Sequence, residues 1–269
     1  MAGSLRVQLK QKQKKKHSQT NNQVPDTVIS NRYLFTIMSK YKSIQEACYI
    51  ANMQLPELNL VLFTFGNVSV ADRSLGVFAI KPSGVPYKDL TPEKMVIVDF
   101  DGKIITGELR PSSDTKTHAV LYKEWEKIGA IVHTHSTFAT AWAQAQRDIP
   151  IFGTTHADHN TVDIPCAPPM SDDMIRGNYE YETGYQIINC FNERKLSYEE
   201  VEMVLVGNHA PFAWGKNGDK AVYNAAVLEE VARMAYLTEQ INPKAPRLKD
   251  ALIDKHWQRK HGKDAYYGQ

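Results

Sequence analysis

The chain has 269 residues, 42% hydrophobic and 23% charged, with a formal net charge of +2. Those proportions belong to a globular protein able to bury a substantial core. No stretch approaches the 18 or more apolar residues of a membrane span, the uncharged run 58–71 containing Asn59, Thr64, Gly66, Asn67 and Ser69, and no apolar segment follows the basic N-terminus as a secretory leader requires.

Cys48, Cys166 and Cys190 are odd in number and form no C-x-x-C pair. They read as small hydrophobes of a protein kept in a reducing cytoplasm. The basic pI is local. Residues 1–37 hold seven Lys or Arg against one acid, a net of +6, which leaves the rest of the chain at −4. A Lys/Gln-rich stretch without apolar periodicity predicts a disordered extension over 1–37 and a single domain over 38–269. The acidic balance of that domain argues against a nucleic-acid partner.

Helical spacing of Ile44, Cys48, Ala51 and Leu55 predicts a helix over 43–55. Residues 58–65, 76–80 and 95–100 read as buried strands. A helix follows over 115–127, with Asp114 as its cap. Next come a strand over 128–134 and a helix over 137–146. A long helix runs from Ser171 towards Asn192, and strands follow over 201–206 and 212–214. Helices over 217–240, with a core stripe of Ala221, Ala225, Leu228, Val231, Ala232 and Ala235, and over 248–259 close the chain. The alternation gives an α/β layered domain.

Three segments carry chemistry. An apolar strand ends in His133-Thr134-His135, where side chains at i and i+2 point to one face and two imidazoles can share a divalent ion. His209 sits in the polar turn 207–211, and Asp114 ends Pro111-Ser-Ser-Asp. Three imidazoles and a carboxylate suit zinc or another divalent ion with positions open for substrate. His118, four residues after Asp114, either orients one of those groups or is a surface histidine. Lys81, Ser83 and Gly84, with Ser112 and Ser113 before a helix, offer donors for a phosphate, and Gly66-Asn67 offers another.

Taken together, the strings Phe-Gly-Asn-Val-Ser (65–69), Ile-Lys-Pro-Ser-Gly-Val (80–85), Pro-Ser-Ser-Asp-Thr-Lys-Thr-His (111–118), Ile-Val-His-Thr-His-Ser (131–136), Gly-Thr-Thr-His-Ala-Asp (153–158), Pro-Phe-Ala-Trp-Gly-Lys (211–216) and the ending Ala-Tyr-Tyr-Gly-Gln resemble the L-ribulose-5-phosphate 4-epimerases of the class II aldolase/adducin-head superfamily. The resemblance runs from about residue 42 to the end. It implies a three-layer class II aldolase-like fold, with a central mostly antiparallel sheet between helical layers, in a four-fold symmetric homotetramer with sites at subunit interfaces. It implies one divalent ion per subunit, zinc with manganese or cobalt as alternatives, on Asp114, His133, His135 and His209. Gly66, Asn67, Ser83, Gly84, Ser112 and Ser113 are the implied substrate-binding residues, with Lys81 beside them. Asp158 and Tyr267 are the implied acid/base pair, Tyr267 acting in a neighbouring subunit's site.

The chemistry so implied interconverts L-ribulose 5-phosphate and D-xylulose 5-phosphate. C4–H is not adjacent to the carbonyl, so inversion requires retro-aldol cleavage of C3–C4 and re-addition to the other aldehyde face, with a proton carrier on each face. Two alternatives accompany this reading. Fuculose- or rhamnulose-type aldolases usually carry Glu where Asp114 stands and lack the Tyr-Tyr ending, and adducin-head interaction modules tend to lose the metal histidines. This chain also departs from its family, with His159-Asn160 where Tyr-Phe is usual and Gly207 two residues before the third histidine.

Overall fold

The structure is a computed structural model that describes residues 26–266. The chain divides into two units, residues 1–39 and residues 40–269. Of the first, the described part is helical: α1 (Asp26–Glu57) begins well ahead of the expected boundary at residue 38, so the extension is not structureless from Asp26 onward. The disorder expected of residues 1–25 lies outside the described residues, and no helix among those described is long and apolar enough to cross a membrane.

The second unit is built on one eight-stranded sheet. Its strands are β1 (Asn67–Asp72), β2 (Val77–Ile80), β3 (Val96–Asp99), β4 (Ile104–Thr106), β5 (Ala130–His133), β6 (Cys166–Ala167), β7 (Met203–Val206) and β8 (Pro211–Gly215). The spatial order is β4-β3-β2-β1-β5-β8-β7-β6. Every pairing is antiparallel except β6 with β7. The helices are α2 (Thr115–Glu124), α3 (Thr137–Gln144), α4 (Thr154–Ala157), α5 (Asp172–Arg176), α6 (Tyr179–Arg194), α7 (Gly218–Ile241) and α8 (Asp250–His261).

Period-two alternation assigns the two faces of the sheet. Phe78, Ile80, Val96, Val98, Ile131, Phe212 and Trp214 face α2 and α6 and form with them the main core. On the reverse face, α7 packs along β8 and β5, and Cys48 of α1 donates its thiol to the carbonyls of Val68 and Ala79. Helix, sheet, helix is the three-layer arrangement expected. A separate small core of Ile151, Ala157 and Ile253 joins α4 to α8.

Three expectations need correction. Residues 58–65 form a turn and not a buried strand. Asn59 and Phe63 hold positive φ angles of 57° and 53°, which breaks strand geometry. That backbone turns Leu62 and Phe63 outward, Phe63 being 82% exposed. The strand starts instead at Asn67. The helix expected from Ser171 onward is two helices, broken at Gly177-Asn178. Asp114 stands at the N-cap of α2, but its side chain makes no capping bond; it is drawn elsewhere.

Candidate metal centre

The site lies where β1, β5 and β8 end, on the face covered by α2. Register places Asn67 opposite His133 and His133 opposite Phe212, so three neighbouring strands present one row of side chains. The His133 ring stacks on Phe212 at 4.2 Å between centroids. Its Nδ1 lies 3.0 Å from the Pro211 carbonyl, a contact that fixes Nδ1 as the donor and leaves Nε2 bare.

The strand ends at His133, so His135 is carried by the loop that follows, yet the two rings stand 5.0 Å apart. His209 comes from the β7–β8 turn, where Asn208 takes a left-handed φ of 63° and Val206 donates its N–H to Ala210. Its ring is 4.9 Å from His133 and 5.3 Å from His135.

One ring nitrogen from each of the three histidines lies within 4.8 Å of the other two. His209 Nδ1 is buried without a hydrogen-bond partner. Burial pushes His209 down to about 3 and lowers His135 as well, the neighbouring imidazoles adding to the effect. Three convergent imidazoles, with a nitrogen of His209 left unbonded, are the donor set a divalent ion takes, so the residues fit a metal.

Asp114 borders the same pocket. Its carboxylate accepts from Asn67 Nδ2 at 2.7 Å and from Ser112 Oγ at 3.3 Å. Burial alone would raise it; His133, His118 and the Asn67 amide outweigh burial and hold it below the usual carboxylate range.

The pocket, of about 470 Å³, brings together Gly66, Asn67, Lys81, Ser83, Gly84, Ser112, Ser113, Asp114, His133, His135 and His209. Two loops build its anion side. Ser83 N–H donates to Arg110 O and Ser112 N–H to Lys81 O, which laces 81–84 to 110–113. Gly66 has φ 70°, and a Cβ there would sit 2.9 Å from the His133 carbonyl, so only glycine lets β1 enter this close to the histidine strand. Lys81 is 2% exposed. Its ammonium donates to Thr64 O at 3.0 Å and lies over the Tyr87 ring, with no carboxylate paired to it among the described residues. Burial pushes it down to about 8. A buried cation without a counter-ion at the edge of a pocket is complementary to an anionic ligand.

Tyr179 and Glu180 also line the pocket and escaped the sequence reading. The signal that could have found them is Gly177-Asn178, a breaker pair that starts α6 afresh with its first residues turned to the site.

Asp158 is not among the lining residues. It ends α4 and is gripped by α8, with Arg259 Nη2 at 2.9 Å and His256 Nδ1 at 2.9 Å. Burial would raise its carboxyl, but the hydrogen bonds from Arg259 and His256 hold it down. Tyr267 lies outside the described residues.

With this geometry in hand, similarity to known proteins decides the family. Residues 46–236 match the class II aldolase and adducin N-terminal domain. The chain belongs to that family. The L-ribulose-5-phosphate 4-epimerase UlaF of Salmonella paratyphi B is 49% identical over 228 residues, which cover 85% of this chain and 99% of the relative. The UlaF protein of Salmonella typhi matches to the same extent. Among solved structures, an L-fuculose 1-phosphate aldolase superposes with a TM-score of 0.67 at 24% identity, covering 81% of this chain and 95% of that one. The L-fuculose 1-phosphate aldolase of Glaciozyma antarctica PI12 gives 0.66 at 16% identity, covering 84% of each. At those identities the likeness is one of fold. The family resemblance and the three-layer architecture expected from the motifs are thus both borne out.

Proposed function

We propose that the chain is a divalent-metal-dependent epimerase that interconverts L-ribulose 5-phosphate and D-xylulose 5-phosphate. The observation that carries this reading is one pocket holding three convergent imidazoles at one end and the unpaired Lys81 with its serine loops at the other. A chelating sugar with a terminal phosphate has both complements. The 49% identity to the UlaF epimerases over nearly their whole length supports the same reaction.

His133, His135, His209 and Asp114 would hold the ion, and the donor set suits zinc, with manganese or cobalt as substitutes. When bound, the ion supplies Lewis-acid charge to the oxygens on C2 and C3 of the ketose. Lys81, Ser83, Gly84, Ser112 and Ser113 anchor the phosphate, while Gly66 and Asn67 bound the sugar. A proton leaves the C4 hydroxyl as the C3–C4 bond breaks, giving a three-carbon fragment and glycolaldehyde phosphate. The aldehyde turns about its anchored phosphate, the C3–C4 bond re-forms on the opposite face, and a proton returns to the C4 oxygen. Asp158 and Tyr267 are the two proton carriers.

α8 grips Asp158 at one edge of the molecule, and among the described residues Asp158 does not line the pocket of its own chain. That separation supports a ring in which each subunit lends this edge to its neighbour's pocket, a homotetramer by the family resemblance. Three free, buried cysteines support a reducing, cytoplasmic setting.

The deciding test is incubation of the metal-loaded protein with L-ribulose 5-phosphate. D-xylulose 5-phosphate is expected. Accumulation of free dihydroxyacetone and glycolaldehyde phosphate would mark a net aldolase instead, and an inert, metal-replete protein would sink the proposal.

A further inference from the structure

We infer that Glu229 is a positioning residue for the metal centre: it clamps the first turn of α3 and thereby sets where His135 stands. The inference rests on the metal-centre reading above and extends it to a residue outside the pocket. The histidines are not held alike. His133 lies within β5, and its ring is bonded to the Pro211 carbonyl. His135 lies in the short link 134–136 between β5 and α3. Its ring neighbours the rings of Phe65, His133 and His209 and makes no hydrogen bond among the described residues. An imidazole without a bond to orient it takes its place from the backbone, so the ends of the link decide where it stands.

One end of the link is β5. The other is the first turn of α3, where the expected cap is idle: Ser136 occupies the N-cap position without a side-chain bond to the helix. Glu229 of α7 takes over that role. Its Oε1 accepts from the Phe138 N–H and its Oε2 from the Ala139 N–H, both at 2.9 Å. These are the second and third N–H groups of the helix, the ones a capping side chain satisfies. A carboxylate there also meets the positive end of the helix dipole. Further along both helices, Trp142 Nε1 donates to the Ala232 carbonyl at 2.9 Å. Four residues on in α3 and three on in α7, this second bond lies about one turn from the first, so α3 is pinned to α7 at two successive turns. α7 in turn packs along β8 and β5. The clamp therefore ties the link to the two strands that carry His133 and follow the His209 turn. A cap that served the helix alone would lower the melting temperature when removed and leave the ion's affinity untouched; a clamp on the link lowers both.

The test is the zinc affinity of the full chain, measured by competition with a chromophoric chelator, alongside the thermal melt of the metal-free protein. Glu229→Ala removes both bonds and is expected to weaken zinc binding about tenfold, the low end for a residue that supports a ligand. Glu229→Gln keeps one acceptor oxygen and turns an NH2 towards the other N–H, so a loss of about threefold is expected. Asn217→Ala is the control. Asn217 Oδ1 caps α7 by accepting from the Lys220 N–H at 2.9 Å, just beyond Gly215, at the end of β8 away from the His209 turn. Its loss should lower the melting temperature as Glu229→Ala does, with zinc affinity kept within about twofold of wild type. A folded Glu229→Ala with wild-type affinity overturns the inference, and so does an Asn217→Ala that weakens zinc as much. Should Glu229→Ala fail to fold, Glu229→Gln decides, and wild-type affinity there overturns it too. A wild-type chain that binds no divalent ion overturns the metal-centre reading itself and this inference with it.

Discussion

Lys81→Met tests the anion side of the pocket without touching the metal side. Methionine keeps the apolar stem, so packing is largely preserved. The freed Thr64 carbonyl borders the pocket, where water replaces the ammonium. What changes is the charge. A fall from 10.5 to about 8 corresponds to about 3 kcal/mol against the charged form at 1.36 kcal/mol per pH unit. Because the ammonium borders an open pocket where water screens it, roughly 1–2 kcal/mol is the working penalty. Below pH 8 the lysine is charged in both folded and unfolded chains, and the penalty is fully present. Between about 8 and 10.5 the folded protein loses the proton first, so the penalty shrinks, and above 10.5 it is gone. The metal-free variant should therefore be more stable than wild type at pH 7 by roughly 1–2 kcal/mol, with the gap closing as the pH approaches 10. Urea denaturation at a series of pH values measures this. Catalysis should move the other way. Losing a hydrogen bond to a charged phosphate costs about 1.5–3 kcal/mol, or roughly a 10–150-fold rise in KM for the sugar phosphate. If Lys81→Met is less stable than wild type at pH 7 by a margin that does not vary with pH, the ammonium is not the strained partner of an absent anion.

Chelation should abolish turnover, with zinc, manganese or cobalt restoring it, and His135→Ala should lose both metal and activity; a metal-free protein that stays active would exclude this mechanism. Asp158→Asn should slow epimerisation by on the order of 10²–10⁴ with metal content unchanged, and wild-type turnover would remove Asp158 from the reaction. Since Arg259 and His256 hold Asp158 below the usual carboxylate range, that pairing stabilises the fold above about pH 4 and fades as acid protonates the carboxyl, so the variant's stability deficit should close on acidification. Tyr267→Phe and His135→Ala chains, each inactive alone, should regain activity towards about a quarter of wild type when unfolded and reassembled in equal amounts; mixed oligomers that form yet stay inactive would confine Tyr267 to its own chain.

The three histidines that the structure brings together were legible because their motif is local. His133 and His135 stand at a strand end, and His209 in a turn between two apolar strands, so pattern alone places them on rigid scaffolding. β1 was not legible, for a reason tied to the site. Its inward positions Asn67 and Ser69 are polar because they grip Asp114 and His118, which blurs the apolar alternation that marks a strand. The apolar run just before it drew the strand assignment, although two positive φ angles turn that run into a loop at the pocket mouth. Asp114 misled in the same way. Its position before α2 and its residue type both read as a helix cap, but a carboxylate bonded by Asn67 and Ser112 is not free to cap. In each case the local rule was broken where the site needed the residue for something else.

The division of labour within the chain also bears on which reaction the pocket performs. Cleaving a bond next to a chelated ketose needs only an ion, an anchored phosphate and somewhere for one proton to go, and aldolases and epimerases share that need. Epimerisation adds a demand: the aldehyde must be met by a proton carrier on either face, and it must not escape while it turns. Among the described residues that line this chain's pocket, none supplies a second carrier of the right kind in an enclosed position, since Tyr179 and Glu180 sit at its rim on the α6 side and both are in contact with solvent. Asp158, by contrast, is held on an edge of its own, over a separate small core and between His256 and Arg259. A carboxylate so fixed, yet outside the lining of its own pocket, fits the proposed ring in which another copy of the chain hosts the reaction. On that argument, assembly does more than stabilise the subunits. In the ring proposed above, it closes the pocket over the aldehyde and brings the second proton carrier to it, which turns an aldol-cleaving site into an epimerising one.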